Sequence, residues 1–282
     1  MFDAAPEADP MDLRFAQITT VGDRRSNQDA LGNVQQDGLA CFVVSDGVGG
    51  QEGGEIASGI VVRSILERFL HESSFSPRAL RSYVEYAIAQ VAERKTEESH
   101  LQNMSTTVAA LLIDQKNRCA LWAHMGDTRV YLFRENKIQR VTKDHSVVQQ
   151  FVDAGYCSAD DLRTHPQRST LYAAIGQEGD TDPEVVQEMI DVQDGDAFLI
   201  CSDGLWEGLT DNDMEQALGT SHSAEKWLTD MCNIADVMDR RSAGTITNTA
   251  LRARDNCTAF AITLGEIDTA HIRPAALAKS GR

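Results

Sequence analysis

Cysteine pairs at metal-knuckle spacing are missing from this chain. Its six cysteines, Cys41, Cys119, Cys157, Cys201, Cys232 and Cys257, form no CxxC. Four of them, Cys41, Cys119, Cys201 and Cys257, sit in or beside apolar strand-like runs, where a free thiol packs as a small hydrophobe. A zinc knuckle and a disulfide framework are thereby excluded. The seven histidines show neither HExxH nor HxH spacing. No apolar stretch reaches the roughly 20 residues of a membrane helix, and Met1–Pro10 lacks the basic and apolar regions of a signal peptide. Positive charge is also scarce, with 26 Lys and Arg against 43 Asp and Glu and a formal charge of −17. That balance argues against nucleic acid, whose binding neutralises phosphates with Lys and Arg, and against an anionic membrane surface. Most of the acidic charge keeps the protein soluble. The expectation is a reduced, cytoplasmic, monomeric protein.

What is present is enough apolar sequence, 42% of 282 residues, for one sizeable core. With no repeat and no clear linker, the chain reads as a lead-in at 1–13, one domain at 14–265 and a tail at 266–282. The ordered part shows strand character from Gln17–Gly22 onward and a nearly continuous apolar strand at Leu39–Ser45. Ile56, Ile60, Val61, Ile65 and Phe69 then recur at helical spacing. Ser76-Pro77 starts a second helix, with Leu80, Tyr83, Val84, Ala87, Ile88 and Val91 on one face. Further strands are expected at Thr106–Ile113, Cys119–His124, Arg129–Phe133, Ile138–Val141, Ala197–Cys201 and Thr258–Leu264, with a hairpin turn at Glu135–Lys137. Ser146–Gly155 reads as a short helix, Tyr156–Arg168 has no period, and Ala224–Met238 is amphipathic through Trp227, Met231, Ile234 and Met238. Strands and helices are thus mixed within one α+β domain.

Acidic residues mark the points where apolar runs give way to turns: Asp29, Asp46, Asp203 and Asp255. Carboxylates at strand ends can converge in space, and once converged they repel unless a cation holds them. Oxygen-only donors favour Mg or Mn over zinc. A single Asp-Gly is a common turn dipeptide, but the strand-then-Asp-Gly arrangement of Asp46-Gly47 recurs at Asp203-Gly204, and Asp255-Asn256 precedes another strand. The glycines let the backbone approach a ligand closely. Asp127, in Gly126-Asp127-Thr128-Arg129, is a further acid at a turn. Arg24 and Arg25, just before Asp29, suit bidentate capture of a phosphate. Asp144-His145-Ser146 is not a triad, because adjacent residues do not converge on one atom; Asp144 or Ser146 capping the following helix is the better reading. His124, in an apolar strand, reads as a core histidine.

The ordered series Arg24-x-x-Asn27-Gln28-Asp29, Asp46-Gly47-x-Gly49-Gly50, Ser105-Thr106-Thr107, Gly126-Asp127-Thr128-Arg129-x-Tyr131, Thr142-x-Asp144-His145-Ser146, His165-Pro166-x-Arg168, Ser202-Asp203-Gly204 and Asp255-Asn256-x-Thr258 resembles the bacterial PP2C (PPM) family of metal-dependent protein serine/threonine phosphatases. The likeness runs from about residue 14 to 265. It implies an α-β-β-α sandwich, two antiparallel sheets with helices outside and a metal site at one end. By motif match, Asp46 bridges two Mn or Mg ions with the Gly47 carbonyl on one of them. Asp203 and Asp255 complete the pair, Asp29 contributes directly or through water, and Asp127 with Asp203 holds a third, weaker ion. Arg24 matches the phosphate-binding arginine, and Tyr156–Arg168 the flap beside the site. The chain departs at Gln28, where many relatives have Glu, at Val48, where eukaryotic relatives often carry a histidine general acid, and at Ala173, where relatives often have Arg.

The resemblance implies hydrolysis of phosphoserine and phosphothreonine in proteins by metal-activated water, with Arg24, Asp46 and Asp203 at the reacting centre. The expected partners are phosphoproteins and a cognate Hanks-type kinase, with type VI secretion regulation as one setting. The alternatives are a metal-free regulatory module of the same fold and a phosphatase of anti-sigma-factor antagonists.

Overall fold

The computed structural model describes residues 10–48, 53–179, 182–245 and 254–265, without the side chains of 237–245. The Gly49-Gly50 pair, the Met238 side chain and the 266–282 tail lie outside the described residues. In chain order the strands are β1 (Leu13–Thr20), β2 (Asp29–Gln36), β3 (Leu39–Asp46), β4 (Val108–Asp114), β5 (Cys119–Met125), β6 (Arg129–Arg134), β7 (Lys137–Val141), β8 (Glu184–Val185), β9 (Ile190–Asp191), β10 (Ala197–Cys201) and β11 (Cys257–Leu264). The helices are α1 (Gly54–Glu72), α2 (Pro77–Glu97), α3 (Val147–Asp153), α4 (Asp161–Thr164), α5 (Asp203–Trp206), α6 (Asp211–Gly219) and α7 (Ala224–Thr245).

The strands pair antiparallel into two sheets. One runs β1-β11-β10-β6-β7, and the other runs β2-β3-β4-β5-β8 with β9 also on β5. The period-2 alternation of buried strands assigns each side chain to a layer. In β4, Val108, Ala110 and Leu112 face α1 and α2, whereas Ala109, Leu111 and Ile113 face the second sheet. In β10, Phe198 and Ile200 enter the inter-sheet core, and Leu199 and Cys201 turn toward α5, α6 and α7. Phe42 and Phe260 meet edge to face across the sheets at 5.2 Å between ring centres, with Phe15 at 5.3 Å from Phe42. The layers are therefore α-β-β-α, two antiparallel sheets with helices on both outer faces. Among the described residues no helix is long and apolar enough to cross a membrane.

Local chemistry explains most boundaries. Ser76 accepts from the Ala79 N–H at 3.0 Å and Pro77 opens α2, where its missing donor costs nothing. Glu135 and Asn136 both adopt positive φ, which closes the β6–β7 hairpin in two residues. Several elements escaped the reading of the sequence, among them the short β8, β9 and α5. β2 is a half-buried edge strand of mostly small and polar residues with little apolar alternation. The helix α6 starts from a Thr210/Asp213 capping box. Tyr156–Arg168, read as without period, contains the helical turn α4. Met11, within the compositional lead-in, is 2% exposed and packs in the inter-sheet core.

Asp144 does not cap α3; Ser146 does, accepting from the Gln149 N–H at 3.1 Å. Asp144 instead takes a bidentate fork from Arg129, Nε to Oδ1 and Nη2 to Oδ2, each 2.7 Å, with both side chains buried. Removing one partner of such a pair leaves the other charge uncompensated. Asp144→Ala should cost about 3–5 kcal/mol in urea unfolding, whereas Ser146→Ala, which removes only a cap, should cost about 1 kcal/mol.

Candidate metal centre at the rim of the sheets

Strand register brings the first two acids together. Asp29 opens β2 and Asp46 closes β3, and the two are directly opposite partners. Like charges in that position destabilise an antiparallel pair. Three other acids reach the same rim from separate connections: Asp127 from the β5–β6 turn, Asp203 from the end of β10 and Asp255 from just before β11. Burial raises Asp46 well above the carboxylate range, and the charges of Asp29, Asp203 and Asp127 raise it further. Asp203 is raised in the same way by burial, then by Asp127, Glu207, Asp255 and Asp29. Burial and the nearby Asp144 push Asp127 up to about 7. Asp29 is raised chiefly by burial.

These groups fit a cation. All the side-chain donors are oxygens, the set that hard divalent ions take. One Asp29 oxygen accepts from Ser202 Oγ–H at 2.9 Å, while the other, Oδ1, is buried without a hydrogen-bond partner. A buried carboxylate oxygen without a partner is costly in the absence of a counter-ion. The charge of Asp29 also raises Asp46, its direct strand partner, a repulsion that a cation between the two carboxylates would relieve.

The surrounding turns are held at close quarters. A Cβ on Gly47 would lie 2.5 Å from the Gly54 carbonyl carbon, and one on Gly204 would lie 2.0 Å from the Asn256 carbonyl oxygen. Both Asp-Gly glycines are therefore required by backbone approach. Asn256 accepts from the Gln28 N–H at 2.8 Å and donates to the Val21 and Ser26 carbonyls at 2.9 and 3.0 Å, fixing the loop that carries Arg24. Arg24 donates to Asp255, and Asp23 pairs with Arg254. Above the acids lies a cavity of about 680 Å³ lined by Arg24, Arg25, Asp46, Asp127, Ser169 and Asp203, among others.

The sequence-derived set thus converges: Arg24, Asp46, Gly47, Asp127, Asp203 and Asp255 all line the cavity, and Asp29 lies beneath it. Three contributors had been given no role, two of them quoted only within motifs. Ser202 orients Asp29, Asn256 ties two loops together, and Glu207 lies near Asp127 and Asp203 while pairing with Arg168 at 2.9 Å. Only the position of Glu207, one turn after Asp203 in the same helical segment, could have pointed to it.

His124, His145 and Glu184 also bring ligand-type atoms within 4.8 Å of one another. Here the hydrogen bonds oppose a cation. His145 Nδ1 accepts from the Gly126 N–H at 3.1 Å, so in the neutral ring Nε2 carries the proton and offers no lone pair. His124 is a core histidine, as expected. It is 1% exposed with Nε2 bonded to the Lys143 carbonyl at 2.7 Å, although its Nδ1 has no hydrogen-bond partner.

A family model for protein phosphatase 2C matches residues 21–243. A serine/threonine phosphatase, stp, of Listeria welshimeri is 29% identical over 206 residues, 71% of this chain and 80% of that protein. The catalytic domain of the serine/threonine protein phosphatase PstP, solved in complex with two manganese ions, superposes with a TM-score of 0.72 at 26% identity, covering 91% of this chain and all of that one. PppA of Pseudomonas aeruginosa, described as a key regulatory component of its type VI secretion system, superposes with a TM-score of 0.69 at 26% identity, covering 89% of this chain and 97% of that one.

Carboxyls raised above their ordinary range bind protons in the cation-free native state that the unfolded chain has released. Their contribution to stability is complete at low pH and is lost as pH climbs, for Asp127 through about 7. Burial lowers His124 and His145 instead, an opposite trend common to wild type and an Asp127 variant. In chelator, wild type should therefore lose melting temperature relative to Asp127→Asn between about pH 5 and about pH 8. Parallel melting curves across that range would contradict the assignment.

Proposed function

Since the chain belongs to the protein phosphatase 2C family, we propose that Asp29, Asp46, the Gly47 carbonyl, Asp203 and Asp255 hold two Mn or Mg ions on which its phosphatase activity depends. Asp127 and Asp203 would hold a third, weaker ion. The chain is a phosphoprotein phosphatase, a phosphoric monoester hydrolase acting on serine and threonine. The observation that carries the site reading is the orphaned, buried Asp29 oxygen among acids that burial and then mutual repulsion raise above the carboxylate range.

When bound, such ions supply Lewis acidity and lower the pKa of water at the phosphorus. The residues of the chain then bind and orient. Arg24, at the cavity rim, neutralises phosphoryl oxygens with its guanidinium and must leave Asp255 to do so. No protein nucleophile is called for. Burial raises the Cys41 and Cys201 thiols far from ionisation, and neither lines the cavity. Val48, beside Asp46-Gly47, has no proton to give, so the leaving seryl or threonyl oxygen takes its proton from water or another group. The substrates are phosphorylated proteins, with a cognate Hanks-type kinase as partner, in the cytoplasm and as a monomer. The PppA relative suggests type VI secretion regulation as one setting. The complete acidic set speaks against a metal-free regulatory module.

Hydrolysis of a phosphothreonine peptide should require Mn or Mg, and Asp46→Ala or Asp203→Ala should reduce it by more than about a hundredfold. Full metal-dependent activity in either variant would defeat the proposal. Arg24→Ala should lower kcat/KM about ten- to a hundredfold, the worth of charge-assisted bonds to phosphate, while Mn affinity measured by calorimetry should not fall, because the substitution frees Asp255.

A further inference from the structure

Each residue of the turn 126–129 is held by a different buried partner. Gly126 donates its N–H to His145 Nδ1 at 3.1 Å, and its carbonyl accepts the His145 N–H at 2.9 Å. The Asp127 carbonyl accepts the indole Nε1–H of Trp206 at 2.9 Å. Thr128 and Thr107 join hydroxyls, and Arg129 forks onto Asp144. With its main chain so fixed, Asp127 presents its carboxyl to the cavity beside Asp203.

Trp206 links this turn to the second acid. It is the last residue of α5 and Asp203 is the first, so one helical turn carries Asp203 at one end and the donor to Asp127 at the other. The indole is itself immobilised. It is 1% exposed, and the Arg129 guanidinium lies 3.5 Å from its ring centre, held there by Asp144 and by the Tyr131 hydroxyl at 2.9 Å. Packing and the cation–π contact need only an aromatic face. The Nε1–H is what hydrogen-bonds the side chain to Asp127.

We propose that Trp206 is a positioning residue for metal binding, its indole N–H setting the Asp127 main chain so that the Asp127 and Asp203 carboxyls face one cation. This rests on the reading that those two acids share a weaker ion. Arg129 then acts one step further back, by holding the indole plane against Asp127.

The test compares calorimetric titrations of Mn into full-length wild type, Trp206→Phe and Asp127→Ala, with circular dichroism to confirm folding. Trp206→Phe should weaken the weakest Mn step about three- to tenfold, the worth of one neutral hydrogen bond, and leave the tighter steps unchanged. Asp127→Ala should abolish the weak step. Replacing Trp206 by benzothienylalanine, which keeps the bicycle without the N–H, should reproduce the Phe result and serves if the Phe variant does not fold. An unchanged weak step in both Trp206 variants, with Asp127→Ala losing it, overturns the positioning role. A uniform weakening of every step also overturns it, since that is the mark of a general structural role. If Asp127→Ala binds Mn as wild type does, the shared-ion reading has failed and the proposal falls with it.

Discussion

Repulsion among buried carboxyls at one rim of the sandwich is the constraint on which the rest of this structure turns. Asp29 and Asp46 are locked opposite each other by strand register, and Asp127, Asp203 and Asp255 are brought to the same rim by three other connections. Without a counter-charge, burial and the neighbouring acids together raise Asp46 and Asp203 well above the carboxylate range. Such a site persists only on a scaffold too stiff to let the acids drift apart. The two sheets supply that stiffness, because their inner faces interlock through Phe15, Phe42 and Phe260 and through paired apolar strands.

The stiffness extends into the loops, where function usually meets mobility. The acid-bearing connections are bound to one another by specific polar contacts: Asn256 to the Gln28 loop, Ser202 to Asp29, Trp206 to the Asp127 carbonyl. Close backbone approaches at Gly47 and Gly204 leave no room for side chains there. If these acids hold ions as proposed, geometry built this way would be preorganised, and affinity need not be spent on ordering the ligands. A ligand cage of this kind also suits chemistry in which water, and no side chain, attacks phosphorus. The buried ion pair of Arg129 and Asp144 joins the same network, since it holds the guanidinium over the Trp206 ring.

Much of this was legible in the residues. Apolar, strand-like runs foretold β3, β4, β5, β6, β10 and β11 to within a few residues, and helical spacing foretold α1, α2 and α7. Acids at the ends of those runs pointed to a shared site before any contact was known. The misses have physical causes. β2 shows little apolar alternation because it is a half-buried strand at the edge of its sheet, where small and polar residues are tolerated. α6 is short and announced by its cap more than by its apolar face. Asp144 or Ser146 was read as the cap of α3, and Ser146 is; local sequence does not show the partner of Asp144, because Arg129, fifteen positions earlier, is brought to it by the β6–β7 hairpin.

Composition and local pattern were sufficient to determine that this chain folds into mixed sheets and helices, pairs no cysteines at metal-knuckle spacing, and places acids with flanking glycines at strand ends. Those properties depend on near neighbours along the chain, where periodicity and turn chemistry act. Only the tertiary structure decided which acids share a charge environment, which arginine reaches Asp255 and which Asp144, and which indole grips the Asp127 turn. Such contacts depend on register and layer stacking, and residues more than two hundred positions apart meet only after the whole sandwich has closed.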